Sequence, residues 1–166
     1  LITLADLYRF QKKYDQAIKY YSDFINTKTN NLSERWRLFY LRGICYERSS
    51  QWVLAEIDFL ESLKLKSDSP QVLNYLAYGW LEQDLHLDRA LQMLQKAYAG
   101  NPNSYYILDS LAWAYYKNNN LDKAVQLMEE VISLAPGEAI SLDHLGDIYF
   151  ALNRKREASY LWKQAK

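Results

Sequence analysis

The sequence predicts an all-α protein, a solenoid of five helical hairpins that follow one another along the chain. Two recurring features indicate this fold. A small residue recurs inside the first helix of each hairpin, and an alanine recurs early in the second helix. The small residues are Ala5, Gly43, Ala77, Ala112 and Gly146, and the alanines are Ala17, Ala55, Ala90, Ala124 and Ala158. Within each series the interval is 34, 35 or 38 residues, and chance would rarely give two independent series one period.

The stretch "LAWAYYKNNNLDKAVQLMEEVISLAP", residues 111 to 136, shows one hairpin in full. Its apolar residues follow helical spacing, stop at "KNNN", resume, and stop at a proline. An aromatic residue follows each small residue by three positions: Tyr8, Tyr46, Trp80, Tyr115 and Tyr149. A bulky apolar residue follows each alanine by four: Tyr21, Phe59, Leu94, Met128 and Trp162. We expect the small positions to let paired helices approach closely, and the bulky ones to fill the space up to the next hairpin.

The breaks between these patterns divide the chain into five repeats within one domain. Their approximate limits are 1–31, 32–69, 70–103, 104–137 and 138–166. Hairpins end at "SDSP", "GNPN" and "APGE", which contain proline or glycine, and the turns inside the hairpins are polar. The segment "NTKTNNLSER" lengthens the first loop between repeats by about four residues over the 34-residue period. Because the chain opens at "LITLADLY", already in helical periodicity, we expect a fragment of a longer protein.

Composition narrows the class of partner. The 166 residues include 20 basic and 20 acidic side chains, so a general electrostatic attraction to nucleic acid or to an anionic membrane is not expected. No apolar run approaches the roughly 20 residues of a spanning helix, which argues against direct membrane insertion. A single cysteine, Cys45, excludes an internal disulfide and leaves the compartment undecided.

The segments "LAWAY" and "LGDIY", the alanine of each second helix, and the terminal prolines Pro102 and Pro136 resemble the tetratricopeptide repeat family. The resemblance covers all five units and is looser in the first two, where Arg42 stands in place of an apolar residue. It implies a right-handed α-solenoid whose first helices line a concave groove. The last three repeats look like bacterial envelope-associated adaptor proteins, which favours the bacterial envelope or periplasm over the cytoplasm.

Motifs for catalysis, cofactors or metals are not found. There is no phosphate-binding glycine-rich loop, no paired-cysteine spacing and no His–Glu–x–x–His. His144 could hold a divalent ion weakly with Asp143 and Asp147, but a polar helix face is the favoured interpretation. Similarly, His86 is expected to be solvated in a turn, and Cys45 to be a buried small side chain. The sequence therefore predicts no enzyme, no cofactor and no metal.

The resemblance places ten residues in the groove as candidates for partner binding. They are Tyr40, Asn74, Tyr75, Tyr78, Tyr106, Asp109, Trp113, Tyr116, Asp143 and Asp147. Tyrosine and tryptophan are favoured interface anchors, and Trp113 and Tyr78 are the best candidates because they occupy equivalent positions one repeat apart. The alternative, equally weighted for any one ring, is packing between neighbouring hairpins.

The groove also has an acidic line, since Asp109 and Asp143 are equivalent and Asp147 lies one turn further along. Such a line favours a lysine or arginine on a partner, although acids early in a helix are also favoured by its dipole. The family's mode of gripping a C-terminal carboxylate is not expected, because only Asn74 and Arg37 match its residue types. An apolar or basic segment, extended or helical, suits these positions better.

These observations favour a protein–protein interaction scaffold or adaptor that binds a partner peptide or protein in its groove, without catalysis. The alternative is a structural spacer or self-association module. The final "SYLWKQAK" presents apolar side chains at a solenoid end that normally needs a polar cap, so a second copy could cover it. An RNA-binding helical repeat is disfavoured by the zero net charge and the acidic line.

Overall fold

The computed structural model describes residues 4–27 and 32–166, and within them every helix or strand element is an α-helix. The expected lengthening of the first loop between repeats falls mainly on residues 28–31, which lie outside the described residues. The helices are α1 Leu4–Phe10, α2 Tyr14–Asn26, α3 Leu32–Arg48, α4 Trp52–Leu65, α5 Pro70–Glu82, α6 Leu87–Gly100, α7 Tyr105–Lys117, α8 Leu121–Leu134, α9 Ala139–Ala151 and α10 Lys155–Gln164. The predicted all-α helical-repeat fold is confirmed.

The chain forms two compact units, Leu1–Leu76 and Ala77–Lys166, with the boundary inside α5. In the first unit α1 packs on α2, α2 on α3, and α3 on α4. In the second unit the same order holds from α6 to α10, each helix packing on the next. The assignment of all five repeats to a single domain stays a prediction. Among the described helices, none combines the length and the apolar composition that a membrane crossing requires.

The small residues sit where paired helices come closest. A β-carbon added to Gly43 in α3 would lie 2.7 Å from the Phe59 ring of α4. One added to Gly146 in α9 would collide with the indole of Trp162 in α10. Real β-carbons essentially never approach so closely, so both hairpins need glycine opposite a large ring. This confirms the expectation that the small positions permit close approach.

The bulky residues fill the interior as predicted, with one exception. Tyr21, Phe59, Leu94 and Met128 are almost completely buried, whereas Trp162 is half-buried. The five alanines of the second helices are all completely buried. The core therefore includes the repeated positions from which the fold was predicted.

Each hairpin turn has a residue with positive φ at the same position of the repeat, and the third turn has a second one, His86. The residues at the shared position are Lys12, Ser50, Asp84, Asn119 and Asn153, each seven positions after the small residue, with φ between 54° and 62°. The following amide donates a hydrogen bond of 2.8–2.9 Å to the carbonyl oxygen of the aromatic residue five positions earlier. This 6→1 bond, with a second bond from the positive-φ residue, is the Schellman arrangement that ends a helix. The recurring aromatic residue thus contributes a capping carbonyl as well as a ring.

Arg42, which departs from the family pattern, is explained by a buried ion pair in the first unit. Its Nε and Nη2 atoms donate to the two carboxylate oxygens of Asp58 at 2.7 and 2.8 Å, and Nη1 donates to Ser22 Oγ at 2.9 Å. Burial raises the pKa of Asp58, and the two bonds from Arg42 oppose that rise. A charged residue is tolerated here because its donors are satisfied by α2 and α4.

Replacing Gly43 by alanine should destabilise the first unit. We expect Gly43→Ala to lower the free energy of unfolding by about 1–3 kcal/mol, because the new methyl group overlaps the buried Phe59 ring. Combining it with Phe59→Leu should recover at least about 1 kcal/mol relative to the sum of the single changes. Urea denaturation of the four proteins measures this coupling, and strictly additive effects would show that the two residues do not meet.

Replacing Ser50 by glycine should stabilise the first unit by about 0.5–1 kcal/mol, because glycine adopts positive φ without the steric cost that serine bears. Asn119→Gly is the matched control at the equivalent turn. Asn119→Gly should raise the free energy of unfolding by less, since asparagine already tolerates positive φ. Thermal unfolding monitored by circular dichroism compares the two, and an equal or reversed order would contradict the explanation.

Candidate protein-binding surface

The ten predicted groove residues divide between the two units. Tyr40, Asn74 and Tyr75 belong to the first, on α3 and the beginning of α5. The other seven belong to the second, on the end of α5 and on α7 and α9: Tyr78, Tyr106, Asp109, Trp113, Tyr116, Asp143 and Asp147.

In the first unit the two tyrosines pack on each other. The ring centroids of Tyr40 and Tyr75 lie 5.6 Å apart in an edge-on contact, and each ring also contacts that of Phe59 in α4. Asn74 is buried, and its Oδ1 atom has no hydrogen-bond partner among the described atoms. Both tyrosines are half-buried, so they combine a packing role with an accessible edge.

Trp113 is the centre of the candidate surface in the second unit. Its ring stacks on His144 of α9, with centroids 4.1 Å apart, and on Tyr116 of its own helix at 4.6 Å. The indole Nε1 donates to Glu82 Oε1 of α5 at 3.0 Å. Only 7% of Trp113 is exposed, because neighbouring rings cover it. This corrects the expectation that Trp113 faces a partner directly: it supports the rings around it.

Asp109 is also buried, which corrects the expectation of a continuous acidic line. It is 7% exposed, and its Oδ2 atom lies 3.0 Å from Nδ1 of the buried His144. The interpretation of His144 as part of a polar face with Asp143 and Asp147 was therefore wrong, since its hydrogen-bond partner lies one repeat earlier. Asp109 and His144 occupy adjacent groove positions in successive repeats. That placement is the sequence signal from which their contact could have been predicted. The Oδ1 atom of Asp109 has no partner within the described structure.

Two carboxylates remain within reach of solvent. Asp143 is exposed, and Asp147 is half-buried and accepts a 3.1 Å hydrogen bond from Nε1 of Trp162. Burial raises the pKa of Asp147, and the charge of Asp143 adds to the rise. Trp162 was expected only to fill space, and its contact with Asp147 was missed.

The remaining tyrosines of the second unit are more accessible. Tyr106 is 43% exposed, and Tyr78 and Tyr116 are half-buried. The Tyr78 ring lies 6.2 Å from that of His144. Burial raises the pKa of the Tyr116 phenol, with a further contribution from the charge of Asp147. Tyr78 and Tyr116 therefore border the buried Trp113–His144 stack, whereas the ring contact of Tyr106 is with Tyr105.

The described residues offer no assembled metal or nucleophile site. No three His, Cys, Asp or Glu side chains gather in a way that could hold a metal ion within the described ranges. Cys45 is completely buried, as expected, and burial raises its pKa to about 11. Its thiol is therefore protonated at neutral pH and shielded from reagents.

Paired helices, repeated capping turns and helix-borne side chains define this molecule as a helical-repeat scaffold. Two family models, each described as tetratricopeptide repeat, match residues 2–70 and 86–142. The chain belongs to the tetratricopeptide repeat family, whose fold generally serves as a non-catalytic scaffold for protein–protein interaction. Membership of an envelope-associated adaptor class stays a prediction.

Solved structures with the same fold include MamA and YrrB. The crystal structure of MamA superposes with a TM-score of 0.76 at 22% identity, covering 99% of this chain and 94% of that one. MamA residues 41 to the end from Desulfovibrio magneticus RS-1 give 0.75 at 20% identity, covering 97% and 92%. YrrB, described as a TPR protein with an unusual peptide-binding site, gives 0.73 at 19% identity, covering 97% and 80%. No curated protein sequence matches this chain.

Asp109 and Asp143 provide a matched test of the buried pair, because they are equivalent in successive repeats and differ in burial. Asp109→Ala should lower the free energy of unfolding by about 1–3 kcal/mol, since it leaves buried His144 without its partner. Asp143→Ala should change it by no more than about 0.5 kcal/mol. Chemical denaturation measures both, and equal effects would contradict the structural role of the pair.

Proposed function

We propose that the second unit binds a segment of a partner protein on its groove surface, which we define as Tyr78, Tyr106, Tyr116, Asp143 and Asp147. The proposed event is reversible recognition, in keeping with the non-catalytic character of the family. The partner segment contributes apolar side chains, which pack against the tyrosines, and a basic side chain, which meets the carboxylates.

One observation carries the proposal: the groove surface is built on a fixed aromatic cluster. Trp113 stacks on His144 and Tyr116 and is hydrogen-bonded through Nε1, and His144 is held by Asp109. Rings supported in this way lose little conformational freedom when a partner binds, so less of the interaction free energy is spent on ordering them. An ordinary solvated helix face offers no such support.

The charges favour a basic partner. Within the described residues, neither Asp143 nor Asp147 makes an ion pair with a lysine or arginine. Burial and the charge of Asp143 raise the pKa of Asp147, and Trp162, His144 and Lys117 only partly oppose that rise. A cation from a partner would further favour the charged form. The description of YrrB as having a peptide-binding site supports a peptide or protein segment as the ligand class.

Site-specific photo-crosslinking in a lysate of the source cell tests the groove surface. A benzophenone amino acid at Tyr106, which is exposed, should crosslink one partner protein, and the same group at Gln126 on α8 is the control. Tyr116→Ala should reduce the yield at position 106 about tenfold, since interface aromatic residues contribute about 1–3 kcal/mol each. Stronger crosslinking of the same protein at position 126 would place the binding surface elsewhere.

The competing function is a spacer that self-associates. Ile140, Phe150 and Tyr160 on α9 and α10 are all more than half exposed, which favours apolar contact with another molecule. Self-association predicts a mass that rises with protein concentration and falls after Tyr160→Lys. A constant monomer mass in sedimentation, together with crosslinking of a partner at position 106, would exclude it.

A further inference from the structure

The exposed face of α4 is apolar where the other second helices are polar. Val53, Leu54 and Ile57 lie two and one positions before, and two positions after, the recurring alanine Ala55. In α2, α6 and α8 the same three positions hold only charged residues or glutamine, and in α10 two of the three are charged. These positions are exposed in all five helices. Because polar side chains are usual on the solvent face of an amphipathic helix, the apolar residues of α4 indicate a contact with another molecule.

The three apolar side chains form one continuous patch. Val53 is 69% exposed, Ile57 51% and Leu54 42%, and their spacing makes them neighbours on the helix surface. Described hairpins stand on both sides of the patch along the chain, α1–α2 before it and α5–α6 after it. The exposure of the patch therefore does not depend on either end of the chain.

Four positions along α4 have the spacing of a coiled-coil seam. Val53, Ile57, Leu60 and Lys64 follow one another at intervals of four, three and four residues, which places them on one face of the helix. Leu60 is half-buried, and Lys64 is exposed. We call these four residues the α4 seam. Such a seam is one half of a helix–helix contact.

The charges on α4 disfavour a parallel pair with an identical helix. In a parallel pair equivalent seam residues meet, so Lys64 would face Lys64 of the second copy. Glu56 and Glu61 flank the seam on opposite sides, and a parallel pair would bring them together across the interface. Parallel coiled coils normally carry opposite charges at these flanking positions.

An antiparallel pair matches the apolar positions of the α4 seam. When Ile57 lies opposite Leu60 of the second copy, Val53 lies opposite the aliphatic stem of Lys64 of that copy. Each contact occurs twice, because the two copies present the same surface to each other.

The same antiparallel register also separates the like charges. Glu56 flanks Leu63 of the second copy, and Glu61 flanks Leu54 of that copy. The ammonium group of Lys64, which pairs with Glu61 of its own helix, comes within reach of Glu56 of the second copy. The charges of α4 are therefore complementary to those of a second, antiparallel α4.

The size of the contact indicates a weak dimer. The α4 helix has 14 residues and is therefore about 21 Å long, which is short for a standard interface. The chain has 20 basic and 20 acidic residues, so two copies do not repel each other at long range. We expect a dissociation constant of about 10–100 μM.

We propose that α4 pairs with α4 of a second copy of this chain, in an antiparallel dimer held by the two α4 seams. The dimer does not depend on the groove surface, and the two surfaces have no residue in common. A dimer carries two copies of the groove surface, so a partner with two binding segments is held more tightly without any new contact.

Sedimentation equilibrium of the whole chain measures the dimer. The mass should rise from the monomer value at about 1 μM toward the dimer value at about 500 μM. Ile57→Glu should weaken dimerisation at least about tenfold, because it places a charge in the apolar contact. Gln126→Glu adds the same charge at the equivalent exposed position of α8 and should leave dimerisation unchanged. Circular dichroism checks that both variants keep their helicity.

Charge exchange tests the antiparallel register. Lys64→Glu should raise the dissociation constant about tenfold, because at two symmetric places the new carboxylate meets Glu56 of the other copy. Adding Glu56→Lys restores opposite charges and should recover at least about threefold in affinity. A double variant that dimerises no better than Lys64→Glu alone would overturn the register.

Other results would assign the patch differently. A constant monomer mass up to about 500 μM would mean that α4 does not pair with itself, and the proposal would be wrong. A dimer that Tyr160→Lys dissociates and Ile57→Glu does not would place self-association on α10 and would also overturn it. If the α4 dimer forms and no partner crosslinks at position 106, the α4 pair stands and the groove surface fails. Crosslinking at position 106 by a chain that stays monomeric gives the reverse result.

Discussion

The paired helices of each hairpin share one recurring position, which holds either glycine or a completely buried alanine. At Gly43 and Gly146 even a methyl group would overlap the ring opposite. The other features follow at fixed distances from that position: a carbonyl that caps the helix three residues later, and a positive-φ turn seven residues later. Because the backbone geometry is shared, the spacing is shared, and the sequence shows a period.

The fold was predictable because the period depends on this close approach, which only small residues allow. The turns were predictable as polar segments, but not the positive φ of Lys12 or Ser50, since neither residue type favours that conformation. The sequence also did not explain why a charged residue, Arg42, stands at a position that is usually apolar. Its partners lie 16 residues later and 20 residues earlier, on two other helices, and the repeat pattern does not connect these positions.

The candidate site was predicted by position but not by environment. Repeat comparison placed Asp109 and Asp143 as equivalents, yet the first is buried against His144 and the second is exposed. The difference in burial comes from the helix that follows each aspartate. Comparing equivalent positions of the repeats gives no information about the helix that packs on each one. The same reason explains Trp113, whose ring is covered by His144 of the following α9. In a repeat protein, therefore, a groove position becomes a binding residue only where the next helix leaves it uncovered.

The indole ¹⁵N–¹H spectrum tests the central claim, which is that a partner segment binds the second unit through the groove surface. The chain has five tryptophans, and each gives one indole signal. Their positions are Trp36, Trp52, Trp80, Trp113 and Trp162. The partner segment that photo-crosslinking identifies is added as a free peptide. We expect the indole signals of Trp113, which stacks on Tyr116, and of Trp162, which donates a hydrogen bond to Asp147, to shift. Shifts confined to Trp36, Trp52 or Trp80, with the other two unchanged, would contradict this claim.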